Sequence, residues 1–208
     1  MPLVDFISQT YESISKNVSS KRTLNLYPES TEGEGKSNLI LIGCAGTTEV
    51  ADYSNISGVE STSPCRGMYY ASNNILYVVY GGALIKYLPN GLSVKILSLS
   101  ENSGNRVSMA DNGTHLVIVD GAFLKTIRLS DDVVNTPTVD FTNPTQVVFL
   151  GRRIVAINES NKFWWSDIDD ANTWDALSVA SAETNPDNIL SIAIKDGELW
   201  LMGERSYE

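Results

Sequence analysis

A period near forty residues constrains this chain more than any other feature. From residue 39 onward, short β-branched and aromatic runs are separated by Gly, Asn and Asp turns, and no stretch sustains helical spacing with caps. The runs align as strand–turn–strand–turn–strand units. The first runs 68–71, Asn73-Asn74, 75–80, Gly81-Gly82, 83–88. The second runs 107–110, Asn112-Gly113, 115–120, Gly121-Ala122, 123–129. The third runs 147–150, Gly151-Arg152, 153–158, a turn at 159–161, then 162–168. A fourth begins with 189–195, Asp196-Gly197 and 198–202. Their first internal turns fall at Asn74, Gly113, Arg152 and Gly197, in steps of 39, 39 and 45. Each unit is preceded by one more candidate strand, at 49–53, 94–99, 138–141 and 176–180. Four strands recurring at this period describe the blades of a β-propeller.

Physical chemistry favours blades over a sandwich. The runs Ile75-Leu-Tyr-Val-Val-Tyr80 and Leu116-Val-Ile-Val119 are apolar at successive positions, so both faces of the strand need cover. A blade stacked between two neighbours buries both faces. A sandwich sheet buries one and alternates. The fold expected is all-β: four-stranded blades forming the front part of a longer propeller, with an N-terminal arm. The arm is 1–38, rich in Ser, Glu and Gly, with 30–38 (STEGEGKSN) a loop by composition. The blades are 39–208, about four repeats with the last incomplete. In the arm, Tyr11, Leu24, Leu26 and Tyr27 are the sizeable apolar groups and the candidates for an interaction surface.

Charge and composition narrow the functions. The net charge is −10, from 25 acidic and 15 basic residues. Binding duplex DNA through its phosphates requires clustered Lys and Arg, and the nearest approach to a cluster is Lys16, Lys21 and Arg22. Sequence-specific nucleic-acid binding is not expected. No apolar run approaches the roughly 20 residues that span a bilayer, so no membrane partner is expected. The opening MPLVDFISQTYESISKN has acids early and no basic stretch ahead of an apolar one, unlike a signal peptide. Cys44 and Cys65 form no framework and lack metal-ligand spacing.

Catalytic motifs are sparse. The one histidine, His115, starts a strand beside an Asn-Gly turn, and a triad with Ser108 or Asp120 has nothing in the sequence to fix its geometry. GxSxG, HExxH, P-loop and dinucleotide fingerprints are all missing. The acidic stretch 164–174, WWSDIDDANTW, offers Asp167, Asp169 and Asp170, but an EF-hand would need glycine at its sixth place. It matches better the S-x-D-x-G-x-T-W turn of propeller proteins, with Asp169, Ala171, Thr173 and Trp174 in the D, G, T and W places and Asp167 where Ser is usual. That reading makes the stretch a structural turn whose tryptophan packs into a blade. Trp164, Trp165, Trp174 and Trp200 are read as blade-core residues, with a sugar platform as the alternative. Glu159, Asp167 and Glu183 are the carboxylates a glycoside hydrolase would have to draw on. No catalytic, cofactor or metal site is assigned, no cofactor is expected, and the chain is read as no enzyme.

Four segments in order carry a family resemblance. They are TLNLYPESTEGEGKSNLILIGCAGT (23–47), RGMYYASNNILYVVYGGALIKY (66–87), GNRVSMADNGTHLVIVDG (104–121) and the stretch from WWSDIDDANTW to the end (164–208). Together they resemble the packaged-DNA stabilisation protein, the tail hub of P22-like podophages, from about residue 17 to the end. Cys44 lies near the family's T-P-G turn, where this sequence departs from the pattern. The resemblance implies a structural virion component, also found in prophages, that acts as a head–tail connector. It would close the portal channel, stabilise packaged DNA and bridge the portal adaptor to the tail needle and tailspikes, as a homo-oligomeric ring. It implies residence in the virion tail, and in the host cytoplasm during assembly. The alternative function is a phage tail propeller that binds or hydrolyses host-surface glycan.

Overall fold

The structure is a computed structural model that describes residues 26–30, 39–44, 46, 64–88, 90–91, 93–99, 106–158, 160–182 and 187–208. The chain divides into two compact units, Met1–Glu49 and Val50–Glu208. In the first unit, β1 (Leu26–Ser30) and β2 (Leu39–Gly43) form an antiparallel pair, with Leu26 opposite Gly43 and Ser30 opposite Leu39. Leu26 is exposed. Tyr11 and Leu24 lie outside the described residues, as does the side chain of Tyr27.

Every regular element described in the second unit is a strand, and within each sheet consecutive strands pair antiparallel. β3 (Cys65–Tyr70), β4 (Leu76–Tyr80), β5 (Ala83–Tyr87) and β6 (Ser93–Ser98) make the first four-stranded sheet in chain order. β7 (Ser108–Asp111), β8 (His115–Val119), β9 (Leu124–Arg128) and β10 (Val134–Asn135) make the second. β11 (Gln146–Leu150), β12 (Arg153–Ile157), β13 (Lys162–Trp165) and β14 (Val179–Ser181) make the third. β15 (Ile189–Lys195) and β16 (Glu198–Gly203) pair as a hairpin. Residues 206–208 fold back along β16, with backbone bonds in both directions between Leu201 and Glu208. The architecture is that of propeller blades, not closed into a ring among the described residues. Two expectations need correcting. The extra strands at 94–99 and 176–180 do not precede the next unit: β6 pairs with β5 and β14 with β13, so each completes the blade before it. Residues 138–141 are not a strand, and the second blade's outer strand is β10 instead. The remaining candidate, 49–53, lies outside the described residues.

The turns follow from backbone chemistry. β11 and β12 are joined by Gly151-Arg152, both at positive φ (57° and 67°), and β15 and β16 by Asp196-Gly197 at 55° and 82°. Two central residues in the left-handed region give the twist that suits a tight hairpin. Asn74 and Gly113 also have positive φ, so all four turn positions that set the repeat adopt this conformation.

Alternation explains why the strands are apolar on both sides. In β8, Leu116 and Ile118 join one core with Tyr77, Val79 and Leu84 of the first blade. Val117 and Val119 point the other way, into a second core with Ile154, Ala156 and Trp164 of the third blade. In β12 the alternation repeats: Ile154 and Ala156 face the second core, while Val155 and Ile157 face a third with Ile189, Ile192 and Leu201. Each seam between sheets is thus its own hydrophobic core. Burying a Val, Leu or Ile side chain contributes about 1.5–3 kcal/mol, and a strand with period-two alternation supplies both of its neighbours.

Candidate functional site

The innermost strands β3, β7, β11 and β15 adjoin in series, and they converge on a cavity of about 440 Å³. Its walls are Met68 and Tyr69 from β3, residues 106–109 around β7, Thr145 and Gln146 at β11, and Leu190 and Ser191 from β15. Arg106 supplies its cation. Met68, at 68% exposure, leaves a large apolar side chain open.

Around this centre, several polar side chains, among them the cavity-lining Ser108 and Gln146, bind the next sheet. Asp111 accepts from the Ser72 hydroxyl at 2.6 Å and from the Ser72 backbone N–H at 3.1 Å, tying the second blade to the first. The Asp111 backbone N–H donates to the Tyr69 hydroxyl at 3.3 Å. Burial, then the charge of Asp111, push the Tyr69 hydroxyl above its ordinary pKa. The Ser108 hydroxyl accepts from Val147 N–H at 3.1 Å and lies 3.3 Å from the Val147 carbonyl, tying the second blade to the third. The Gln146 amide does the same across the next seam. Its Nε2 donates to the Ile192 carbonyl at 2.9 Å, and its Oε1 accepts from Ile192 N–H and the Ser191 hydroxyl at 2.9 and 3.0 Å. A side-chain amide with one donor and one acceptor stands in for a missing strand partner.

Charged contacts also cross the seams. Arg66 meets Asp120 at 3.5 Å, with both side chains buried, and Arg66 Nη1 donates to the Gly81 carbonyl at 3.1 Å. Asp120 is held further by the N–H groups of Ala122 and Phe123. Lys86 bonds both carboxylate oxygens of Asp132 at 3.0 Å.

His115 does not reach a triad: its ring nitrogens contact Thr114 Oγ1 and Asn172 Nδ2, while Ser108 and Asp120 bond elsewhere. The 164–174 stretch is a structural turn. Asp170 accepts from the Thr173 hydroxyl at 2.7 Å and Asn172 N–H at 2.8 Å, bonds that hold its carboxyl below the ordinary range. Trp174 Nε1 donates to the Ala171 carbonyl at 3.0 Å, and Ala171 is fully buried. Asp169 pairs with Arg152. The tryptophans are dispersed. Phe141 stacks on Trp164 at 4.7 Å and meets Trp174 edge-on at 5.5 Å, Trp165 lies near Phe163 in the third core, and Trp200 stacks on Tyr207. Of the hydrolase carboxylates, Glu159 and Glu183 lie outside the described residues. Among the described residues, no group of three or more His, Cys, Asp or Glu side chains could hold a metal ion.

Sequence reasoning missed the stitching residues Asp111, Ser108 and Gln146. A signal was present: Ser72 to Asp111, Ser108 to Val147 and Gln146 to Ile192 are separated by 39, 39 and 46 residues, close to the repeat steps.

A family model described as Bacteriophage P22 Gp10, beta-propeller, matches residues 10–208. The chain belongs to this family. As a P22 Gp10 family member it is a bacteriophage structural protein of the DNA-stabilisation class. No curated protein sequence matches it. Among solved structures it is similar to Saccharomyces cerevisiae Sqt1, with a TM-score of 0.58 and 12% identity over 79% of this chain and 49% of that one. It is similar to the computationally designed Ika4 protein, with a TM-score of 0.55 and 11% identity over 78% and 97%. It is also similar to the extracellular domain of BT4673 from B. thetaiotaomicron, with a TM-score of 0.53 and 15% identity, over 71% of this chain and 20% of that one. The chain therefore spans a fifth of that last protein and about half of Sqt1. At such identities these likenesses speak for the fold alone.

Proposed function

We propose that this P22 Gp10 family member serves in the tail hub of a short-tailed phage. There it closes the portal channel so that packaged DNA stays inside, and it bridges the portal adaptor to the tail needle and tailspikes as part of a homo-oligomeric ring. The observation that carries this reading is the family match across 10–208. The geometry supports a mechanical task. Arg66, Ser108, Asp111 and Gln146 on the innermost strands are engaged in binding one sheet to the next, which favours a stiff body. The net charge of −10 suits a plug that repels DNA rather than one that grips it. In this reading 1–38 is the arm, 39–208 are the blades, and Tyr11, Leu24, Leu26 and Tyr27 supply contacts to neighbours. The protein sits in the virion tail after assembly in the host cytoplasm.

The test is to mix the full chain with a purified portal–adaptor complex and image the product by electron microscopy. The expected result is ordered added density on the adaptor at fixed stoichiometry. A chain that remains monomeric and never joins the adaptor overturns the reading.

A further inference from the structure

At one end of the seam between the second and third blades, five polar side chains form a relay. The Thr126 hydroxyl on β9 donates to Asn172 Oδ1 in the 164–174 turn at 2.5 Å. Asn172 Nδ2 lies 3.2 Å from His115 Nε2 on β8. His115 Nδ1 lies 3.0 Å from Thr114 Oγ1, whose proton goes to Asn112 Oδ1 at 2.9 Å. Asn112 Nδ2 then donates back across the seam to the Asp169 carbonyl at 3.2 Å. Thr126 and Asn172 bind across the same seam.

The directions of these bonds fix the state of the imidazole. Thr126 occupies Asn172 Oδ1 as a donor, so the Asn172 N–H₂ faces His115 Nε2, which must accept. Thr114 gives its proton to Asn112, so its oxygen accepts from His115 Nδ1–H. A neutral ring has one donor and one acceptor nitrogen, and only the Nδ1–H tautomer satisfies both ends.

We propose that this relay is an acid-sensitive latch between the second and third blades, closed by neutral His115 and released when His115 gains a proton. Protonation makes Nε2 a donor and turns it against the Asn172 N–H₂. Rotating the Asn172 amide would relieve that clash, but it would leave the Thr126 hydroxyl, which is fully buried, without its acceptor. Burial of an unsatisfied donor is unfavourable. The charged groups around the ring are Arg128, directly opposite on β9, Asp131 beyond it and Asp170 in the facing turn. Burial first, then Arg128, hold the imidazole below its ordinary 6.5, against the two aspartates. A lowered value in the folded state means the unfolded chain binds the proton more tightly. The relay's contribution is therefore complete above about pH 6.5 and is lost as pH falls through the lowered value.

The chain has a single histidine, so one imidazole signal reports the latch. In the full chain, ¹⁵N NMR is expected to show the Nδ1–H tautomer at pH 8 and protonation only below 6.5. Hydrogen-exchange protection along β8 and in the 164–174 turn, taken relative to the intrinsic exchange rate at each pH, is expected to fall over that same interval. In Asn172→Asp, a carboxylate faces the ring, and the titration is expected to move upward past its wild-type position. An Nε2–H tautomer at pH 8, protonation of the wild type at or above 6.5, or identical titrations in the wild type and Asn172→Asp would each overturn the proposal.

Discussion

Two glycines show how the same residue type answers different demands. Gly113 sits at φ +86°, and a Cβ there would meet nothing within 4 Å, so its need is conformational. Gly67 on β3 has no such φ, but a Cβ there would lie 2.8 Å from the Val107 carbonyl oxygen of the neighbouring blade. Gly113→Ala is expected to cost about 1–2 kcal/mol through the left-handed backbone alone. Gly67→Ala is expected to cost about 1–3 kcal/mol by forcing two sheets apart. Chemical denaturation checks both magnitudes, and hydrogen exchange separates the causes. Only Gly67→Ala should expose the Val107 N–H that bonds the Arg66 carbonyl across that seam at 3.0 Å. Gly113 was legible in the sequence because Asn-Gly between apolar runs names its own turn. Gly67 was not, because the atom that excludes a side chain belongs to a residue forty positions away.

At the scale of elements, the seams rest on a few side chains that impersonate backbone. Gln146→Ala would remove the acceptor of Ile192 N–H and the donor to its carbonyl together. Leaving both groups unpaired is expected to cost about 1–3 kcal/mol. The check is the Ile192 amide, whose exchange should accelerate in the variant more than that of Leu201, which bonds Glu208 on the other side of its hairpin. The strands themselves were readable from apolar alternation and turn chemistry, and the period followed from lining them up. Membership of the fourth strand was not readable. A β-run lying between two three-stranded units, such as 94–99, has two edges it could join, and its residues are the same in either case. The fold decides: β6 pairs with β5, while β7 pairs only with β8 and turns its other edge toward the centre, beside β3 and β11 of the neighbouring sheets. The polar stitches were hidden for a similar reason. Ser, Asp and Gln on a strand read as solvent-facing until the neighbouring sheet is placed.

At the scale of the whole blade array, stability should behave as a sum over seams, because each core draws only on adjacent sheets. Leu116 and Ile127 share the first core, whereas Ile157 belongs to the third, and all three are fully buried. Each truncation to Ala should cost about 2–5 kcal/mol. Leu116→Ala and Ile157→Ala perturb cores with no residue in common, so their combined cost should equal the sum within about 0.5 kcal/mol. Leu116→Ala with Ile127→Ala should depart from additivity by about 0.5–3 kcal/mol, since the second cavity opens into a core already loosened by the first. Urea unfolding of the three single and two double variants, beside the wild type, measures both cycles. Because β7, β8 and β9 each feed the first two cores from their opposite faces, strain applied at one seam reaches the next through the backbone of that shared sheet. A large coupling between Leu116 and Ile157 would mean that the three cores act as one, and the description of the array as successive, separately packed blades would have to be abandoned.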